Sequence, residues 1–190
     1  MENEIDLYNS NKDWYDHLPE RKYMILEYLP KCNGKVLSVG THEFNKNDEI
    51  CCKKCEYETI DIHEKCKDFG SSFKHTTIDF LDYEPGYKFN HILLFGVLGI
   101  PQELEGYNYT LYKNENKTIE KIDELLDING TVLLGPDVNE SSCASYDSTY
   151  EFWKKFVQDN DIIKSKYSLI KFMNKNEFRC NPIIILKKNF

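Results

Sequence analysis

The sequence predicts a doubly wound, mainly parallel α/β sheet that ends in a C-terminal antiparallel strand pair. Three observations carry that reading. Short apolar and β-branched runs alternate with amphipathic helical stretches. One run, Phe89–Phe95 (F-N-H-I-L-L-F), is nearly all apolar, as a central parallel strand buried on both faces must be. Two strand-like segments, Lys164–Met173 and Asn181–Leu186, close the chain about a hairpin's length apart.

The elements follow in order. Trp14, Leu18, Ile25, Leu26 and Leu29 recur near helical spacing. Pro19 interrupts that helix or starts a second one, and Pro30 with Asn33-Gly34 ends it in a turn. Residues 1–34 are therefore expected to be a helical segment packed on a domain formed by residues 35–190. Lys35–Gly40 (K-V-L-S-V-G) reads as the first strand, Tyr57–Ile62 as the second, Lys74–Ile78 as the third and Phe89–Phe95 as the fourth. Asn116–Leu126 places Ile119, Ile122, Leu125 and Leu126 on one helical face. Asn129-Gly130 closes it, with the glycine expected in the left-handed cap. Thr131–Leu134 is the fifth strand and Tyr150–Val157 an aromatic helix.

With 190 residues the chain suits one core rather than two. Hydrophobic residues at 41% and charged residues at 29% predict a folded chain. With 13 Tyr and 11 Phe, part of the core must be aromatic. The net charge of −8 repels a phosphate backbone, so nucleic acid is not an expected partner. The longest apolar runs, Ile92–Ile100 and Ile183–Leu186, fall short of the ~20 residues that span a bilayer. Without a basic-then-apolar leader, a cytoplasmic chain with reduced thiols is expected. The sequence leaves association with itself or with a partner enzyme open.

In an open α/β sheet, ligands bind outside the carboxyl ends of the strands, where the strand order switches. Five strand ends are therefore the candidates for chemistry: Gly40-Thr41-His42-Glu43, Asp61-Ile62-His63, Asp79-Phe80, Phe95-Gly96 and Gly135-Pro136-Asp137. Gly40 permits close approach of backbone to a ligand. A carboxylate at Asp61 accepts hydrogen bonds from both hydroxyls of a ribose. Asp79 accepts from an adenine amino group, and Phe80 offers a ring to stack on it.

These strand ends resemble the class I S-adenosylmethionine-dependent methyltransferases. V-L-S-V-G-T-H-E-F stands where that family carries an acid followed by G-x-G-x-G, and Y-E-T-I-D-I is similar to its ribose-binding strand. T-I-D-F-L-D-Y resembles its adenine-binding segment, and F-N-H-I-L-L-F-G-V-L-G-I its fourth strand. L-L-D-I-N-G-T-V-L-L-G is similar to the helix, turn and fifth strand. The resemblance spans Lys35 to Pro136. It implies a Rossmann-like methyltransferase fold and S-adenosyl-L-methionine as cofactor, held by Gly40, Thr41, Glu43, Asp61, Ile62, Asp79, Phe80, Phe95 and Gly96. The sequence departs from the family pattern at four places. Ser38 replaces the usual acid, His42 and Phe44 replace the second and third glycines, and Asn90 replaces the Asp of strand four.

The Gly-Val-Leu-Gly stretch after strand four and the loop with Tyr107 and Tyr109 resemble small-molecule members of the family. The implied acceptor is a small-molecule hydroxyl, in the first place on a sugar or nucleotide-sugar, with Tyr107–Tyr112 as a lid. Such a transfer needs a base for the hydroxyl proton, and the candidates are His42 and Asp137. The alternative is a catalytically inactive methyltransferase-like binding subunit of a partner enzyme, which the missing glycines and acid favour. A dehydrogenase fits less well, because G-x-G-x-x-G is absent after strand one.

Cys51, Cys52, Cys55 and Cys66 hold one C-x-x-C pair among the chain's 7 cysteines. Zinc normally takes two such pairs, so no metal is expected. A redox C-x-x-C is disfavoured because no helix is expected to follow it. His63, His75 and His91 receive no functional role, and His75 and His91 are expected to be satisfied core or edge histidines.

Overall fold

The computed structural model describes residues 4–17, 19–41, 45–72, 74–95, 97, 115–135, 146–173 and 183–190. The described strands are β1 (Gly34–Val39), β2 (Cys55–Asp61), β3 (Lys74–Thr77), β4 (Phe89–Phe95), β5 (Leu126–Gly135), β6 (Tyr167–Phe172) and β7 (Ile184–Lys188). They form one sheet in the order β3-β2-β1-β4-β5-β7-β6. The first five strands run parallel, with Val39 beside Ile60 of β2 and Leu94 of β4. β7 pairs antiparallel with both β5 and β6. The predicted sheet, its parallel body and its antiparallel edge are all present. Between β1 and β4 the strand order reverses direction, which makes that the switch point where an open sheet parts.

The helices are α1 (Glu4–Ser10), α2 (Lys12–His17), α3 (Pro19–Tyr23), α4 (Asn45–Cys51), α5 (Glu115–Leu125), α6 (Tyr146–Asp159) and α7 (Asp161–Lys166). Strand side chains alternate between faces, and the alternation divides the core in two. Leu37 and Val39 of β1, Ile92 and Leu94 of β4, Val132 and Leu134 of β5, and Ile184 and Leu186 of β7 face Ile119, Ile122, Trp153, Val157 and Ile163 of α5, α6 and α7. Val36, Tyr57, Leu93, Leu133 and Ile185 face the opposite layer, made by Leu7, Met24, Ile25, Tyr28, Leu29, Cys51 and Cys52. The N-terminal helices and α4 thus cover one face of the sheet, and α5 to α7 the other.

Over the predicted helix Trp14–Leu29 the described residues are helical up to His17 and again from Pro19. The second stretch runs as α3, a π-helical turn at Met24–Tyr28 and a 3-10 turn at Leu29–Lys31. Three differences have physical causes. Residues 164–166, read from sequence as the start of a strand, are the last turn of a helix that begins at Asp161. The side chain of Asn160 caps that helix by accepting from the Ile163 N–H at 3.0 Å, and a capped turn favours helix over strand at its first residues. The left-handed residue after α5 is Asn129, at φ 65°, and not Gly130. Gly130 is needed for closeness instead: a Cβ there would lie 2.9 Å from the carbonyl oxygens of Asn90 and Asp127. Finally, the sequence pattern does not predict α1 and α4. Each is short, at seven residues, and a single turn pair carries little periodic signal.

Candidate functional site

The carboxyl ends of β1 and β2 are laced together by backbone and carboxylate. Gly40 takes φ 80°, a conformation that glycine adopts without cost. Its N–H donates to the Ile60 carbonyl at 3.0 Å. The next amide, Thr41 N–H, donates to Asp61 Oδ2 at 2.8 Å, and the Thr41 hydroxyl donates to the Ile60 carbonyl at 3.3 Å. Asp61 Oδ1 accepts from the His63 N–H at 2.7 Å. The half-buried Asp61 carboxylate is therefore fixed from both sides, and each of its oxygens retains a second acceptor direction. The Cys66 thiol also stands against this carboxylate; burial and the neighbouring negative charge both push that thiol up.

Around this junction lies a shallow, open cleft. Val39 and Gly40 come from the end of β1, Ile60, Asp61 and Ile62 from β2, Ile78 and Phe80 from the segment after β3, and Val97 from beyond β4. The walls are apolar and the one carboxylate among the lining residues is that of Asp61, which suits a flat ring with a hydroxyl-bearing neighbour. Phe80 serves two purposes: it is buried in the core cluster against α5 and it lines the cleft. Ile62 lines the cleft while remaining 48% exposed, as a rim residue does.

Not every expected residue faces the cleft. The Asp79 carboxylate caps the Phe80–Asp82 turn, with Oδ1 accepting from Leu81 N–H at 2.8 Å. Thr41 is buried and its described bonds run to β2. Phe95 is the last residue of β4. His42, Glu43, Gly96, Asp137 and the Tyr107–Tyr112 loop lie outside the described residues. The sequence reading missed Val39, Ile60, Ile78 and Val97, although strand alternation already placed Val39 and Ile60 on one face.

Behind the β1 loop, Ser38 occupies the position of the usual acid and is buried. Its hydroxyl accepts from Asn45 Nδ2 at 2.9 Å, and the same amide donates to the Tyr57 hydroxyl at 3.3 Å. Asn45 opens α4, the helix after the loop. One turn further along α4, Asp48 pairs with Arg21 of α3 at 2.8 Å, both groups fully enclosed. Burial pushes the Asp48 carboxyl up, and Arg21 opposes that shift. The start of α4 is thus tied to β1 and β2 by a neutral hydrogen-bond relay and to α3 by a buried ion pair.

Asn90, in place of the strand-four Asp, serves the sheet itself. Its Oδ1 accepts from Lys35 N–H at 2.9 Å and so joins β4 to β1. His91 is a satisfied core histidine, with Nδ1 2.7 Å from Thr131 Oγ1 and Nε2 accepting from Asn33 N–H at 3.3 Å. His75 is satisfied at Nδ1 alone, by Thr59 Oγ1 at 2.9 Å; its buried Nε2 has no partner among the described residues. Cys66 stands at the carboxyl end of β2, beside Asp61, while Cys55 opens that strand. The cysteines therefore do not converge, and among the described residues no group of three or more His, Cys, Asp or Glu side chains is placed to hold a metal ion.

Sheet order and switch point define a Rossmann-like fold, and solved structures of methyltransferases are similar to it. The chain is similar to the N-methyltransferase NodS from Bradyrhizobium japonicum WM9, with TM-score 0.62 and 12% identity over 94% of this chain and 99% of that one. NodS has also been solved in complex with S-adenosyl-L-homocysteine; that structure matches with TM-score 0.58 and 12% identity over 90% of this chain and 86% of the other. An rRNA methylase from Streptococcus thermophilus matches with TM-score 0.53 and 14% identity over 90% and 95% of the two chains. No protein-family model and no curated protein matches the sequence. No helix among the described residues is long and apolar enough to cross a membrane.

Proposed function

We propose that this protein is an S-adenosylmethionine-dependent methyltransferase acting on a small-molecule hydroxyl, in the first place that of a sugar or nucleotide-sugar. One observation carries the cofactor half of the reading. Gly40, Asp61, Ile62 and Phe80, singled out as strand-end residues, line a single cleft at the switch point. The residues present fit the cofactor: a left-handed glycine, a fixed carboxylate and apolar walls. S-adenosylmethionine, when bound, supplies an electrophilic methyl group on a sulfonium.

The chain's own residues do the rest. Gly40 lets the backbone approach, and Asp61 accepts from ribose hydroxyls with its remaining lone pairs. Phe80 and Ile62 would offer apolar walls to the adenine, and Asp79, which caps the Phe80–Asp82 turn, would stand near the edge of the base. Thr41, Glu43, Phe95 and Gly96 complete the cofactor's surroundings in this proposal. His42 or Asp137 takes the proton from the acceptor oxygen.

The small-molecule acceptor is supported by the net charge of −8, which opposes a polyanionic substrate. That charge also argues against extending to this chain the substrate named for the rRNA methylase. The second reading, an inactive binding subunit, is favoured by Ser38 and its tie to Asn45, which leave no acid beneath the loop.

Calorimetric titration with S-adenosylhomocysteine separates the two. The enzyme reading expects saturable binding at one site per chain that Gly40→Val weakens. Absence of heat up to millimolar ligand overturns the cofactor assignment and leaves the binding subunit. Where the cofactor binds, His42→Ala and Asp137→Ala test the base, and unchanged turnover in both variants removes it from His42 and Asp137.

A further inference from the structure

The C-x-x-C pair that the cofactor reading leaves unused is arranged for thiol chemistry. Cys52 follows α4 and Cys55 opens β2. The Cys55 N–H donates to the Cys52 carbonyl at 3.0 Å, closing a four-residue turn over Lys53-Lys54. Such a turn holds its end α-carbons within about 7 Å, the range that a disulfide spans. The two thiols stand near enough that each bears on the other's proton.

The two sulfurs differ in environment. Cys52 is buried among Met24, Ile25 and Tyr57, while Cys55 is half-buried. The neighbouring Cys52 thiol and the Lys54 backbone favour the Cys55 thiolate and hold this thiol below its ordinary range. Cys52 is pushed far up, by its neighbour Cys55 and then by burial. Lys53 and Lys54 lie between the two cysteines and are exposed to solvent; Lys53 pairs with Glu4 at 2.6 Å, and Lys54 adds positive charge that suits an anionic oxidant. Cys32 and Cys51, by contrast, are buried thiols pushed up to about 12 by desolvation.

We infer that Cys52 and Cys55 form a redox-active dithiol, in which Cys55 attacks a low-molecular-weight disulfide such as oxidised glutathione and Cys52 resolves the product. Atoms and electrons balance. The Cys55 thiolate forms a mixed disulfide and expels one glutathione thiolate. Cys52 then gives its proton to solvent and attacks the Cys55 sulfur, which expels the second glutathione as thiolate. The dithiol is oxidised by two electrons and the glutathione disulfide is reduced by the same two. Six residues separate Cys55 from Asp61 along β2, or roughly 20 Å at strand rise, so this site is separate from the cleft.

The test uses the full chain, reduced, freed of reductant, incubated with oxidised glutathione and quenched with N-ethylmaleimide. Intact mass and peptide mapping should show a species lighter by two hydrogen atoms, with the peptides of Cys52 and Cys55 joined. Cys52→Ser should instead keep one glutathionyl group on Cys55, because nothing resolves it. A wild-type chain that keeps glutathione on Cys55, leaves both thiols alkylated, or joins Cys55 to Cys32 or another cysteine overturns the assignment. The wild-type map decides alone if the variant does not fold, and neither result depends on cofactor binding.

Discussion

Asp61→Asn probes the end of β1 together with the proposed ribose contact, because in that proposal one carboxylate serves both. In the folded chain its oxygens accept from Thr41 N–H at 2.8 Å and from His63 N–H at 2.7 Å. Asparagine keeps one acceptor oxygen and turns an amide toward the other donor, so one of the two bonds is lost. A hydrogen bond to a charged group contributes about 1.5–3 kcal/mol net. The half-buried position argues for the lower end, near ~1.5 kcal/mol. In a chain of this size each kcal/mol moves Tm by about 2–4 °C, so the variant should melt roughly 3–6 °C lower. Its affinity for S-adenosylhomocysteine should fall by about tenfold, the equivalent of ~1.4 kcal/mol at the ribose. Calorimetry and thermal denaturation on the same sample read both effects. A lower Tm with unchanged affinity removes Asp61 from the cofactor site and leaves it as a loop clamp. An unchanged Tm refutes the clamp as well.

Two further predictions concern buried charge. Arg21→Met strands the Asp48 carboxylate in a dry interior and should cost about 3–5 kcal/mol in urea denaturation; adding Asp48→Leu should restore most of it, and a double variant as unstable as the single one contradicts the pairing. His91 is held neutral by burial, with its imidazole lowered to about 4 from 6.5. Between those two pH values the unfolded chain binds a proton that the folded chain refuses, so stability rises with pH across the window and levels off above 6.5. The span corresponds to roughly 3 kcal/mol at most. Denaturation midpoints should therefore fall as pH drops from 6.5 to 4, and His91→Asn should flatten that part of the slope; an unchanged slope in the variant rejects the assignment.

The strands were legible because each combined β-branched or apolar residues with a glycine, acid or turn at its end. Lys35–Gly40 and Phe89–Phe95 needed no tertiary information, since a strand buried on both faces must be apolar along its length. The cleft was half legible. Gly40, Asp61, Ile62 and Phe80 are marked by position after a strand, and the structure brings these four together. Asp79 shows where position alone misleads: the carboxylate that reads as an adenine contact also caps a turn, and both uses need an acid at the same place. The end of the Asp161–Lys166 helix was misread because Lys164–Lys166 run directly into β6, while the Asn160 cap that starts the helix is a single polar residue.

Ser38 is the place where sequence and structure together say more than either alone. Read as a motif, it is a lost acid. In the fold it is the buried end of a relay from Asn45 and Tyr57. A carboxylate at Ser38 would sit beside the Tyr57 hydroxyl and within the same layer as the Asp48–Arg21 pair, and a second buried anion there would need its own partner. Serine avoids that charge, and the Asn45 amide fixes the start of α4 relative to β1. That tie between β1 and α4 is made without an acid at Ser38. The cleft at this end of the sheet rests on Gly40 and Asp61, the two residues whose backbone and carboxylate hold the ends of β1 and β2 together.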